Sequence, residues 1–159
     1  MMLSLFKWMG ELEFSKALGA SVWQFALVQA VHLVFLAVFA GAVLIVDLRL
    51  MGRALTDRPV SQVARDAQPW LIGGFIGLLL TGVPQMMQNA MREYYSIFFW
   101  IKMGFMALAL IFTFTLRRQV TLAATGGTGV TFQTKVVGLV SILLWAMVAI
   151  PARLIGLFS

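Results

Sequence analysis

From residue 22 onward the chain alternates long apolar runs with short polar connections. The runs cover about residues 22–46, 70–87, 97–116 and 135–157. At 1.5 Å per helical residue, about 20 residues cross a hydrocarbon core of ~30 Å. Each run has nearly that length or more, so the pattern predicts four membrane-spanning helices. Ahead of them, residues 3–18 mix apolar and charged positions at near-helical spacing. Leu5, Trp8, Met9 and Leu12 share one face, with Lys7, Glu11 and Lys16 elsewhere. That predicts a short helix lying in the membrane interface, with Trp8 at headgroup level. The fold class expected is all-α: one transmembrane domain over residues 1–159, an up-down four-helix bundle with a short N-terminal interfacial helix.

The connections carry their own signals. Between the first two spans stand Arg49, Arg53, Arg58 and Arg65 against Asp47, Asp57 and Asp66. PVSQVARDAQ (residues 59–68) predicts a short helix that ends before Pro69, with Pro69 opening the second span. Within that span Gly73 and Gly77 form a small-xxx-small pair suited to close helix approach. Pro84 is expected to kink the helix and free a carbonyl near Gln85. Tyr94 and Tyr95 read as an interfacial belt. Lys102 lies about one turn inside the third span, Arg117 and Arg118 close it, and TLAATGGTG (residues 121–129) predicts a flexible loop.

Composition sharpens this picture. The chain is 61% hydrophobic and 11% charged, against roughly 45–50% and about 25% for soluble domains. Its net charge of +6 sits at the ends of the apolar runs and forms no basic stripe on a soluble fold, which excludes nucleic acid as a partner. The two loops on one side hold seven basic residues and the opposite side five, out of 12 in all. The positive-inside rule then places those loops in the cytoplasm and both termini in the periplasm. There is no cysteine, which removes disulfides, thiolate metal sites and cysteine catalysis. The N-terminal apolar stretch is interrupted by Lys7, Glu11, Glu13 and Lys16, so no signal peptide is expected.

The single histidine, His32, sits inside the first span, about ten residues or ~15 Å from its outer end. Gln24, Gln29, Gln85, Gln88, Lys102 and Arg153 fall in the same outer half. Polar groups in hydrocarbon are expensive unless paired or facing a cavity, so these residues outline an outward-opening polar pocket. One reading is a b-type haem on His32, with Met86, Met103 or Met106 as second ligand and Lys102 and Arg153 on the propionates. Another is a quinone or lipid-headgroup site built from His32, Lys102, Arg153 and Gln85. The plain structural alternative is that His32 hydrogen-bonds a neighbouring helix while Lys102 and Arg153 snorkel outward.

Asp47, Arg49 and Arg53 form a charged knot at the inner end of the first span. Asp47 and Arg49 point to different helix faces, so a direct pair between them is not expected. Asp47 with Arg53 is one candidate pair; ties to Arg117 or to the corner at Gln68–Trp70 are others. Acidic residues are too few and scattered for a hard-metal site, and no nucleophile–base pair is expected, because Ser21 and Thr81 lack an obvious base partner.

HLVFLAVFAGAVLIVDLRLMG (residues 32–52) carries a pattern: a histidine, a glycine nine residues on, then D-L-R-L-x-G. It resembles the first-helix signature of an uncharacterised family of small bacterial membrane proteins, catalogued as a domain of unknown function. QPWLIGGFIGLLLTG, FFWIKMGFMALAL and SILLWAMVAIPARLIG extend the resemblance from about Trp23 to near the end. It implies a four-helix inner-membrane protein without a settled activity. It also implies a second histidine near the end of the third helix, where this chain has Thr115. The function expected is that of a non-enzymatic inner-membrane protein, a subunit of a larger assembly or a homo-oligomer in the lipid bilayer. A haem b electron carrier or a quinone or lipid-site protein is the alternative, and a transporter is less expected, because no paired inverted helix breaks are present.

Overall fold

The computed structural model describes residues 2–124 and 130–158. Among these the chain forms eight α-helices and one π turn: α1 (Met2–Glu11), α2 (Glu13–Ala20), α3 (Val22–Leu50), α4 (Val60–Gln88), α5 (Ala90–Tyr95), α6 (Ile97–Phe112), the π turn Thr113–Arg117, α7 (Arg118–Ala123) and α8 (Phe132–Phe158). Four helical stretches are long and apolar enough to cross a membrane: Val22–Leu50, Val60–Gln88, Ile97–Ala123 and Phe132–Ile155. The expected four-helix architecture is therefore present.

α3 packs along α4 and α6 along α8, giving two antiparallel hairpins that meet through α3 and α8. Their shared core holds Phe39, Val43, Val46 and Leu50 from α3, Val63, Ala67 and Leu71 from α4, and Val137 from α8. Phe39 anchors it, with the Trp145 ring at 4.8 Å and the Phe75 ring at 6.0 Å. A second, smaller core at the end near the termini gathers Phe6, Ala90 and Phe99. At most 28% of any span's most apolar window is buried inside the chain. The helices thus turn most of their apolar surface outward, as lipid-facing helices do.

Several boundaries differ from the sequence pattern. The N-terminal segment is two helices, broken at Leu12, where ψ is 137°. The break lets α1 seat Phe6 beneath Tyr94 and Phe99, while Met2, Leu5 and Trp8 stay exposed. Pro69 opens no helix; α4 runs unbroken from Val60 through Pro69 and Pro84. At Gly73 and Gly77 only the second meets α3, against the Phe35 ring; the residue beside the first, Gly74, fits against Phe39 backbone and Cβ instead. The helix of the third span extends to Ala123, and residues 125–129 of the expected loop lie outside the described residues.

The end of α3 explains the glycine of D-L-R-L-x-G. Gly52 N–H donates to Arg49 C=O at 3.0 Å and Arg53 N–H to Leu48 C=O at 2.9 Å. This is a Schellman cap, and Gly52 takes its left-handed position with φ of 72°. The π turn has an equally local reason. Ala109, Thr113, Arg117 and Thr121 are all buried at a four-residue spacing. In an α-helix of 3.6 residues per turn that spacing drifts by about 40° per step. The wider π turn absorbs the drift and keeps all four on one face.

Candidate functional site

Two polar clusters lie apart along the bundle: an outer one on the side of the termini, built on α3 and α4 near their middle, and an inner one on the side of the α3–α4 loop. His32 is half-buried, and its Nδ1 lies 2.7 Å from Thr81 Oγ1. The Thr81 hydroxyl has one proton, and Gly77 C=O lies 2.7 Å from its oxygen. With that proton directed to Gly77 C=O, His32 Nδ1 is the donor to Thr81 and Nε2 of the neutral ring is unprotonated; with it turned to Nδ1, the roles reverse. Gly82 lies against the ring edge: a Cβ there would stand 3.1 Å from His32 Cε1. One turn on, Gln85 Nε2 donates to Thr81 C=O at 3.2 Å.

Lys102 on α6 is half-buried and close enough to act electrostatically on both His32 and Glu93. Glu93 lies in α5, between spans. Burial pushes its carboxyl above the ordinary value of 4.5, and the opposing pull of Lys102 and Arg92 does not cancel this. Its Oε2 is buried with no hydrogen bond among the described residues. A folded-state value above the unfolded one gives stability that is complete below pH 4.5 and lost as pH rises through the folded value. Thermal melts from pH 4 upward are expected to show this decline in the wild-type chain. Glu93→Gln is expected to flatten it; a decline of equal size in the variant assigns it to another group.

The inner cluster joins three elements. Arg117 Nε donates to Asp47 Oδ1 at 2.6 Å and Arg117 Nη2 donates to Val43 C=O at 2.9 Å. The ion pair is buried, with side-chain exposures of 6% and 0%. Ser141 of α8 faces the same carboxylate without closing a well-formed hydrogen bond, and Asp47 Oδ2 is likewise buried without one. Beside it, Trp145 Nε1 donates to Thr113 Oγ1 at 3.2 Å. Arg49, fully buried, reaches the other way: its Nε donates to Arg58 C=O at 2.7 Å, holding the α3–α4 connection against the helix end.

The structure thus brings His32, Gln85 and Lys102 into one region. It does not add Arg153, which is exposed on α8. Met86 and Met103, considered as haem ligands, pack instead against the Phe6 core. Thr115 is exposed, hydrogen-bonds Ile111 C=O at 2.5 Å, and lies 13 residues, or about 20 Å, along the helix from Lys102. A second ligand at that position would not stand opposite His32. Asp47 pairs with Arg117 and not with Arg53, which is exposed beyond the Schellman cap. The sequence pattern leaves Thr81 without a base partner, and the structure gives it His32 at 2.7 Å; Thr113, Ser141 and the backbone of Arg58 carry no signal in that pattern. Thr81 was detectable, since a hydroxyl at mid-membrane depth needs a partner.

Four outward-facing apolar helices, joined inside by a buried ion pair, define a multi-pass membrane protein. The chain belongs to the family described as "Family of unknown function (DUF6644)", which matches residues 6–159. The family therefore takes in most of the N-terminal helices as well as the four spans. No curated protein matches the chain, and no solved structure does.

Proposed function

We propose that the chain is a non-enzymatic protein of the bacterial inner membrane that works in contact with other membrane chains or with further copies of itself. In this reading both termini are periplasmic and the two basic loops cytoplasmic. The observation that carries it is the outward glycine. Gly73 on α4 and Gly104 on α6 are exposed, and a Cβ at either would meet nothing within 4 Å. Glycine in a helix interior costs about 1 kcal/mol relative to alanine. A face that meets only lipid gives no return for that, whereas a facing helix gains close backbone approach. The test is purification from native membranes in mild detergent, with mass spectrometry of every chain recovered. The wild type is expected as a multimer or with partner chains, and Gly73→Leu/Gly104→Leu as the single chain. A lone wild-type chain sinks the reading.

A second reading, haem b or a quinone at the outer cluster, is favoured by the His32 tautomer. In the tautomer whose Nδ1–H donates to Thr81 Oγ1, Nε2 keeps the lone pair that ligates iron or accepts a hydrogen bond from a quinol. Lys102 and Gln85 supply the nearby polar groups. The same purified sample tests it by its visible spectrum and quinone content. A reduced-minus-oxidised signal lost in His32→Ala supports haem; a colourless, quinone-free preparation ends both.

A further inference from the structure

The face of α3 and α4 turned away from α8 carries an open groove of about 440 Å³. That lies within the range of small-molecule sites, roughly 300–1,000 Å³. Its floor is Ala37, Gly41 and Ile45, and its mouth holds Arg58, Asp66 and Trp70. A Cβ at Gly41 would meet nothing within 4 Å, so the floor is clear. From Ala37 to Ile45 the floor runs eight residues, or about 12 Å, along the membrane normal. Trp70 is 65% exposed, and exposed indole rings favour the headgroup level.

The mouth has three features of a prepared site. Arg58 and Asp66 line the same groove with opposite charges, yet they form no ion pair with each other. Arg58 is also held from behind by the buried Arg49, through its carbonyl. Leu55 at the rim keeps a left-handed backbone, φ 50°, unusual for a residue with a Cβ.

We propose that this groove binds a phospholipid whose head carries a phosphate, a primary ammonium and no further charge, that is, phosphatidylethanolamine of the leaflet on the α3–α4 loop side. Arg58 takes the phosphate by charge-assisted hydrogen bonds. Asp66 accepts from the ammonium N–H groups. One acyl chain lies on Gly41 between α3 and α4. An anionic head without an ammonium meets Asp66 as a like charge, and a quaternary ammonium has no N–H to donate. The groove therefore discriminates against phosphatidylglycerol and phosphatidylcholine.

The test is native mass spectrometry of the full-length chain, delipidated and then exchanged with each of the three lipids carrying identical acyl chains. Phosphatidylethanolamine is expected to be retained about tenfold better than the other two. Asp66→Asn abolishes that preference, Arg58→Gln lowers retention of all three, and Gly41→Leu, which fills open space and leaves the fold intact, removes bound lipid. Equal retention of the three lipids by the wild type overturns the proposal. So does unchanged retention in Gly41→Leu. A Gly41→Leu chain that passes from dimer to monomer gives the groove to a second copy, and overturns it too.

Discussion

Arg117→Met is expected to lower the stability of the purified chain in detergent by about 3–5 kcal/mol. Removing one member of a buried ion pair leaves the other charge without compensation, and that loss falls in this range. Here the stranded group is Asp47, with no exposure to solvent. Its Oδ2 already lacks a hydrogen bond, so Oδ1 loses the partner it has. Val43 C=O loses a donor at the same time. Asp47→Leu is expected to cost a comparable amount, because it strands the guanidinium. The double variant Asp47→Leu/Arg117→Met should recover most of the loss, since an apolar pair of similar volume replaces a buried salt bridge at little cost. Chemical or thermal unfolding of the four chains closes the cycle. If the two single costs add in the double variant, the pair is not what joins α3 to the third span.

Gly138→Ala is expected to destabilise by about 1–3 kcal/mol, the usual range for overpacking. An added Cβ would stand 2.8 Å from Asp47 C=O and 3.1 Å from both Leu50 Cβ and Met51 Cγ. The first is helix backbone and cannot swing aside. α8 would have to draw back from α3, and α3 with α8 is the contact that joins the two hairpins. The same methyl at Gly104 meets nothing within 4 Å. In the isolated chain it should leave the melting midpoint unchanged or raise it by the helix-propensity gain. Equal behaviour of the two variants would show that the α3–α8 approach is looser than 2.8 Å implies.

Much of the polar chemistry was visible as residues but not as pairings. Asp47, with its helix neighbour Arg49 aimed elsewhere, needed a distant partner, and Arg117 stood among the candidates. Only the packed structure selects it over Arg53, because Gly52 ends α3 and turns Arg53 into the loop. His32 likewise demanded a mid-membrane partner. Thr81 was hidden in an apolar run, where its hydroxyl usually bonds its own helix; here it does that and lies 2.7 Å from His32 Nδ1 as well. Arg153 shows the opposite case. Its depth in the sequence matched the outer cluster, but helical phase turns it outward.

By itself the sequence determined the four spans, their up-down order and the surrounding solvent, because apolar length and hydrogen-bond satisfaction in hydrocarbon leave few other solutions. It also determined that polar groups inside the spans must find partners. Which partners, and where each helix stops, the tertiary structure decided. Pro69 is tolerated inside α4, and α1 breaks at Leu12 to seat Phe6 against α5 and α6. The π turn holds Arg117 in phase with Asp47. Each of these depends on the rotation of one helix against another, and a linear pattern of apolar residues specifies membrane depth far better than it specifies that angle.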